Sequence, residues 1–150
     1  MLSKLLLGLP VLAVGAGVAL QSIVNSGLAQ RLGSPVAASA VSFWVGTIAL
    51  TTAAVAMGVV GPAFASARDV ALGWWIGGGL LGAAFIVVVT LSVPKLGVAA
   101  TIAFVIAGQL LCAALLDHFG VFGVPVQPLS FLRLVGIATL FVGALLVRLF

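Results

Sequence analysis

Charged residues are scarce in this chain of 150 residues, which has six Lys and Arg, two Asp and no Glu. Charged residues make up 5% of the composition and hydrophobic residues 64%, with a mean hydropathy of +1.46. A soluble chain has about 25% charged residues, so this one could not cover an apolar core with polar surface. The composition therefore predicts an integral membrane protein, with the lipid bilayer as its solvent.

Other absences exclude further classes. The basic residues are scattered singly, so they form no patch for a nucleic acid despite a pI near 10.8. A single cysteine, Cys112, excludes an intrachain disulfide and is interpreted as a small core residue. The sequence contains no phosphate-binding loop, metal-ligand cluster or nucleophile–base pair, so we expect no cofactor, no metal and no enzyme activity. The lack of Glu also excludes cation exchange at a central glutamate.

The apolar stretches predict an all-α fold, a single five-helix transmembrane domain over residues 1–150. Each stretch approaches or exceeds the roughly 20 residues that cross a hydrocarbon core. We predict helices over about residues 5–28, 35–60, 70–93, 98–116 and 131–147. An alternative for the first stretch is a cleaved signal peptide, but its apolar run is long and no clean cleavage site precedes a polar segment.

The breaks between the stretches carry recognisable helix signals. Ser34 is predicted to cap the second helix with Pro35 as its first residue, and Asp69 to cap the third. The second helix is predicted to stop at Gly61-Pro62, and residues 94–97 (PKLG) to form a tight turn. The predicted helix ends and turns therefore lie between the apolar stretches and do not interrupt them.

The basic residues give no preferred orientation. Five spans would put three on the amino-terminal side and three on the other: Lys4, Arg68 and Arg133 against Arg31, Lys95 and Arg148. Orientation follows mainly the Lys and Arg imbalance near helix ends, so the balance predicts insertion in both orientations. Inverted copies could then pair about an axis in the membrane plane, as in alternating-access transporters. The alternative is a single orientation decided by folding or by a partner.

Polar side chains within the spans are the candidates for solute contact. Gln21 and Asn25 are four residues apart and share a helix face, Ser42 lies with Ser39 on a stripe of the second helix, and Gln109 lies near mid-depth of the fourth. They offer amides and hydroxyls without a fixed charge, which suits a neutral, zwitterionic or weakly charged solute. The alternative is hydrogen bonding between helices.

Asp117 and His118 form a separate candidate at a helix end, where a charge is less costly than at the bilayer centre. One interpretation is a proton-coupling pair. The other is an interfacial anchor that holds the following loop.

Glycines at four-residue spacing indicate close helix packing or a hinge. Gly78 and Gly82 have this spacing on the third helix, and Gly136 and Gly143 lie on one face of the fifth.

A series of motifs along the chain resembles one family, the YdcZ-type branch of the drug/metabolite transporter superfamily. The matching segments are residues 21–26 (QSIVNS), 32–35 (LGSP), 42–46 (SFWVG), 78–82 (GGLLG), 94–97 (PKLG), 108–110 (GQL), 117–120 (DHFG), 123–125 (GVP) and 133–136 (RLVG), followed by Gly143. They cover essentially the whole chain in order.

The resemblance implies a five-helix half of a ten-helix, inverted-repeat transporter in a bacterial inner membrane. The expected partner is an inverted second copy of the chain or an oppositely oriented paralogue, and the expected cargo is a small polar or amphipathic metabolite. Two other classes stay open from the residues alone: a non-transporting membrane scaffold with one fixed orientation, and a small channel.

Overall fold

Helices account for nearly all of the ordered architecture. A computed structural model describes residues 8–65, 67 and 70–150. Over these residues the chain forms no β-strand, and its elements are α1 (Gly8–Leu32), α2 (Pro35–Ala56), the short α3 (Val60–Ala65), α4 (Leu72–Leu96), α5 (Val98–Phe119), a 3₁₀ turn (Val121–Gly123) and α6 (Phe131–Leu149). Five of them, all except α3 and the 3₁₀ turn, are long and apolar enough to cross a membrane. The prediction of an all-α membrane protein with five spanning helices is confirmed. Lys4, the predicted start at residue 5, Arg68 and the Asp69 cap lie outside the described residues.

Helix ends follow the local sequence closely in two places. The Ser34 hydroxyl accepts the Ala37 N–H at 3.2 Å, and Pro35 is the first residue of α2. The Ser130 hydroxyl caps α6 in the same way by accepting the Arg133 N–H at 3.3 Å. A Ser side chain at this position satisfies an N–H that has no partner inside the helix. The predicted Ser34-Pro35 start of the second span is therefore confirmed.

Three predicted helix ends were wrong, the first being that of the first span, which ends at Leu32 rather than near residue 28. The second span ends at Ala56 rather than near residue 60, because Gly58 adopts φ +68° and the Val59 N–H returns to the Ala54 carbonyl at 3.1 Å. A separate helix, α3, follows and carries Pro62 in its first turn, where a missing N–H costs nothing. The fourth span continues past residue 116 to Phe119 and ends at Gly120, which takes the left-handed conformation.

The predicted turn at residues 94–97 was also wrong. Helix α4 passes through Pro94 and ends at Leu96, so that Gly97, at φ +83°, alone separates α4 from α5. Membrane helices tolerate proline because nearby groups satisfy the backbone groups that it frees. The Gly97 carbonyl in turn accepts the N–H of Thr101 at 3.1 Å and its hydroxyl at 2.7 Å.

The chain divides into two compact units, Met1–Ser92 and Val93–Phe150. In the first unit α1 packs along α2, and the Phe43 ring of α2 lies against Gly82 of α4, where an added Cβ would be 3.2 Å from Phe43 Cζ. In the second unit α5 packs along α6. A residue larger than glycine at position 82 would therefore displace the Phe43 ring.

Burial is confined to narrow, small-residue strips of the helices. The buried apolar residues of the described chain are mostly alanines: Ala29, Ala38, Ala100, Ala107, Ala114 and Ala144, together with Ile86, Val89 and Val93. Large apolar side chains, such as Leu20, Trp44 and Leu81, stay more than 60% exposed. Cys112 is exposed as well, so its interpretation as a core residue was wrong. This inversion of the soluble pattern is what helices in lipid show, because lipid solvates the bulky apolar faces.

Candidate functional site

Polar side chains of α1 and α4 meet at a small void in the first unit. Gln21 and Asn25, one turn apart on α1, both line it, as does Thr90 of α4. We call this space the polar void; its full lining is Val18, Gln21, Ser22, Asn25, Phe85, Ile86, Val89 and Thr90. Its volume is about 10 Å³, at the lower limit of the roughly 10–15 Å³ that one water molecule needs. The predicted pairing of Gln21 with Asn25 on one helix face thus leads to a shared cavity.

Three polar atoms in this unit are buried and make no hydrogen bond: Asn25 Nδ2, Ser39 Oγ and Thr90 Oγ1. Their residues are only 3%, 3% and 1% exposed. A buried polar atom without a partner costs about 1–3 kcal/mol. Three such atoms lie on three helices of one unit, so this unit contains several buried polar groups that still lack a hydrogen-bonding partner.

The usual way for a membrane helix to satisfy a hydroxyl is a bond to a carbonyl of its own preceding turn. Six hydroxyls in the described part of the chain do so, those of Ser22, Thr47, Thr52, Ser92, Thr101 and Thr139, at 2.7–2.8 Å. Ser39 and Thr90 do not, although both are buried in helices. Their hydroxyls stay available for a group from outside the chain.

The first unit also has a larger groove, which shares α4 with the polar void. Its volume is about 420 Å³ and its lining, from α2 and α4, is Val36, Ser39, Ala40, Phe43, Trp44, Thr47, Ala83, Ile86 and Val87. We call it the apolar groove, since Ser39 and Thr47 are its only polar lining residues. Ligand pockets commonly have volumes of about 300–1,000 Å³, so it has room for a small molecule.

The predicted contact residues divide between these spaces and the surface. Gln21 and Asn25 line the polar void, whereas Ser42 is half-buried and lines neither space. Gln109 belongs to the second unit, where its side chain is exposed. Sequence reasoning overlooked Thr90 and gave Ser39 less weight than Ser42. A signal for Thr90 was present, since it interrupts the apolar run 86–89 (IVVV).

The second unit holds an ion pair across the α5–α6 connection. Arg133 Nη2 lies 2.8 Å from Asp117 Oδ2, with both side chains about one-third exposed, and Arg133 Nη1 donates to the Gln127 carbonyl at 3.0 Å. The Gln127 N–H donates back to the Asp117 carbonyl at 2.9 Å. Asp117 in the last turn of α5 and Arg133 in the first turn of α6 thereby fasten the loop at both ends.

His118 adds a further tie to this loop. Its Nδ1 accepts the Leu129 N–H at 3.2 Å, and its ring meets the Phe119 ring edge-on at 4.8 Å. These contacts are those of an anchor; the coupling role of Asp117 and His118 stays a prediction.

The remaining glycines have open surroundings. An added Cβ at Gly78, Gly136 or Gly143 would meet nothing within 4 Å. Gly136 is one of the residues that line a groove of about 290 Å³. The ion-paired Asp117 and Arg133 line it as well, together with Leu110, Ala113, Ala114, Ile137 and Leu140. Among the described residues, none of these three glycines has a neighbour as close as Phe43 is to Gly82.

A double-mutant cycle measures the ion pair. Asp117→Asn and Arg133→Gln should each lower the free energy of unfolding, and the coupling energy between them should be about 1 kcal/mol, the upper range for a partly exposed pair. The measurement is loss of helicity in a detergent titration. Arg148→Gln, an exposed cation in the last turn of α6, is the control and should have no effect. Additive single effects would show that the pair contributes nothing.

Across the described residues, no three His, Cys, Asp or Glu side chains cluster as metal ligands would. In a comparison with known families, residues 6–146 fit the model of a family described as "Putative inner membrane exporter, YdcZ". No curated protein and no solved structure matches the chain. The matched range includes every lining residue of the polar void and of the apolar groove, and it includes the Asp117–Arg133 ion pair.

Proposed function

Because this chain belongs to the YdcZ family of inner-membrane exporters, we propose that it is the subunit of a secondary transporter that works as an antiparallel homodimer. Family and fold make the chain a multi-pass protein of the inner membrane. The family is one of transporters rather than enzymes. In the proposal two inverted copies form the ten-helix, inverted-repeat architecture, and a small polar or amphipathic metabolite crosses as the copies rock around it.

The observation that carries the proposal is the set of buried, unbonded polar atoms of Asn25, Ser39 and Thr90. Polar groups inside membrane proteins are costly and usually mark a pathway for a solute. A solute with hydrogen-bonding groups would satisfy them during transport, and release would leave them unsatisfied again. Neither the polar void nor the apolar groove has a charged residue in its lining. The carried molecule therefore needs no net charge in order to bind there.

The positions of the basic residues support inverted pairing. Arg31, Lys95 and Arg148 each lie in the last turn of a membrane-length helix, the first, third and fifth along the chain. With alternating spans these three ends share one side of the membrane. The other side carries Lys4, Arg68 and Arg133, so neither side is favoured by the rule that places Lys and Arg in the cytoplasm.

Labelling of single cysteines tests this proposal. A cysteine is introduced at one terminus at a time, with the exposed Cys112 replaced by Ala, and intact cells are treated with a membrane-impermeant thiol reagent. We expect each terminus to be labelled from outside in about half of the molecules. Labelling of one terminus only would contradict the homodimer and direct attention to an oppositely oriented paralogue or to a scaffold.

A further inference from the structure

Ile86 lies between the two cavities of the first unit. Its side chain is 6% exposed and belongs to the lining of both the polar void and the apolar groove. Of the three unbonded polar atoms, those of Asn25 and Thr90 are on the void side, and that of Ser39 is on the groove side. One apolar residue thus borders both spaces that hold groups able to bind a common ligand.

We propose that the groove and the void are two parts of one binding site, divided by Ile86, for a neutral amphipathic molecule with an oxygen hydrogen-bond acceptor. The apolar body occupies the groove, and the oxygen reaches Thr90 and Asn25 once the Ile86 side chain turns aside. This inference rests on the proposed function and specifies the chemistry of its cargo.

The oxygen requirement follows from the donors. Asn25 Nδ2 can only donate, and the hydroxyls of Ser39 and Thr90 can donate or accept. A carbonyl, ether or hydroxyl oxygen can accept a hydrogen bond from any of them, whereas an ammonium group could not accept from Asn25. A charged group is disfavoured further, because both linings lack a residue of opposite charge.

The division by Ile86 explains why the void is so small. The void, with a volume of about 10 Å³, could hold no more than one water molecule. The groove, with about 420 Å³, has room for a ligand, but Ser39 and Thr47 supply the only hydroxyls in its lining. Thr47 already donates to the Phe43 carbonyl at 2.8 Å. A ligand that used both spaces would gain volume from one and hydrogen bonds from the other.

Trp44 supplies a direct readout, because it lines the groove. Trp74→Phe and Trp75→Phe leave it as the single tryptophan of the three in the chain. The purified protein in detergent is titrated with ω-bromodecanol, whose bromine quenches tryptophan on contact. The matched probe is bromodecane, which has the same chain without the oxygen and stands in for a lipid chain.

We expect saturable quenching by bromodecanol at lower concentration than by bromodecane. Thr90→Val removes the hydroxyl at constant shape and should weaken bromodecanol binding roughly two- to tenfold, the effect of one neutral hydrogen bond, without changing bromodecane binding. Ser92→Ala is the control, since its hydroxyl already donates to the Val88 carbonyl at 2.8 Å, and it should change neither.

Two groove residues separate the role of Ile86 from a general loss of packing. Ile86→Ala should strengthen bromodecanol binding and leave bromodecane nearly unchanged. Val87→Ala, which alters the groove but not the void, should affect both probes alike. If Ile86→Ala impairs folding, Thr90→Val alone carries the test.

Equal binding of both probes, with no effect of Thr90→Val, would show that the groove takes only apolar chains and would overturn the inference, as would the absence of saturable quenching. Orientation in the membrane does not enter this measurement. One-sided labelling together with selective bromodecanol binding would remove the homodimer and keep the site; two-sided labelling with unselective binding would do the reverse.

Discussion

Removal of two basic residues from one side of the membrane should give the chain a single orientation in place of the mixed orientation proposed above. Arg31→Gln with Lys95→Gln leaves Arg148 alone against the three basic residues Lys4, Arg68 and Arg133. Lys4→Gln with Arg68→Gln produces the opposite imbalance, one against three. Each double variant should then place its richer side in the cytoplasm, and terminal labelling should become almost entirely one-sided.

The proposed antiparallel homodimer should be lost in both double variants. Neither double variant can pair with an inverted copy of itself, so cross-linking between antiparallel copies should fall to background in each. Co-expression of the two should restore it, because each supplies the orientation that the other lacks. Arg31 and Lys95 are exposed, so their replacement by Gln leaves the buried strips of the helices intact.

A quadruple variant is the control for this experiment. Replacing Lys4, Arg31, Arg68 and Lys95 together leaves Arg133 on one side and Arg148 on the other, which restores the balance at one each. It should show mixed orientation and antiparallel cross-links again. Persistent two-sided labelling in the double variants would mean that basic residues do not decide insertion in this chain.

Gly120→Ala should be among the most damaging single substitutions. Gly120 ends α5 in the left-handed conformation at φ +60°, and an added Cβ would lie 2.7 Å from Val126 Cγ2 and 3.4 Å from the Val124 carbonyl oxygen. The left-handed backbone costs a non-glycine residue about 1–2 kcal/mol, and the overlap with Val126 adds about 1–3 kcal/mol. We expect a loss of about 2–5 kcal/mol in the free energy of unfolding, measured by helicity in a detergent titration.

Two comparisons separate the backbone term from the steric one. Gly123 has a similar φ of +78° with nothing within 4 Å of an added Cβ, so Gly123→Ala should cost only the backbone term, about 1–2 kcal/mol. Val126→Ala, introduced together with Gly120→Ala, removes the overlapping methyl and should recover part of the loss. Equal costs at Gly120 and Gly123 would contradict the predicted clash.

The sequence predicts this fold well wherever one local signal decides the outcome. Ser34 and Pro35 define a helix start by themselves, and long apolar runs define spans by length, so both were predictable. The turn predicted at Pro94 failed because proline is a weaker stop in a membrane helix than in water. The left-handed Gly58 was overlooked because Pro62, three residues beyond Val59, gave the more obvious signal.

The candidate site was less predictable, because helical periodicity cannot tell which face of a helix meets another helix. Gln21 and Asn25 were found from their spacing, yet Gln21 is exposed and Asn25 is buried. Ser39 and Ser42 lie on one stripe of α2, and only the packing beside Phe43 and Gly82 shows that Ser39 is the buried one. The partners of a polar residue in a span come from other helices, and their identity is a property of the tertiary structure.

The small-residue strips of the helices imply an uneven tolerance to sequence drift. Ala38, Ala107 and Ala144 are almost completely buried, so enlarging any of them would push two main chains apart. The bulky residues, in contrast, face outward, where Leu, Val, Ile and Phe are nearly equivalent to a hydrocarbon environment. Descendants of this sequence should therefore exchange their large apolar residues freely while retaining alanine or glycine at the strips. The small buried residues are therefore the positions by which relatives of this protein should be recognised most readily.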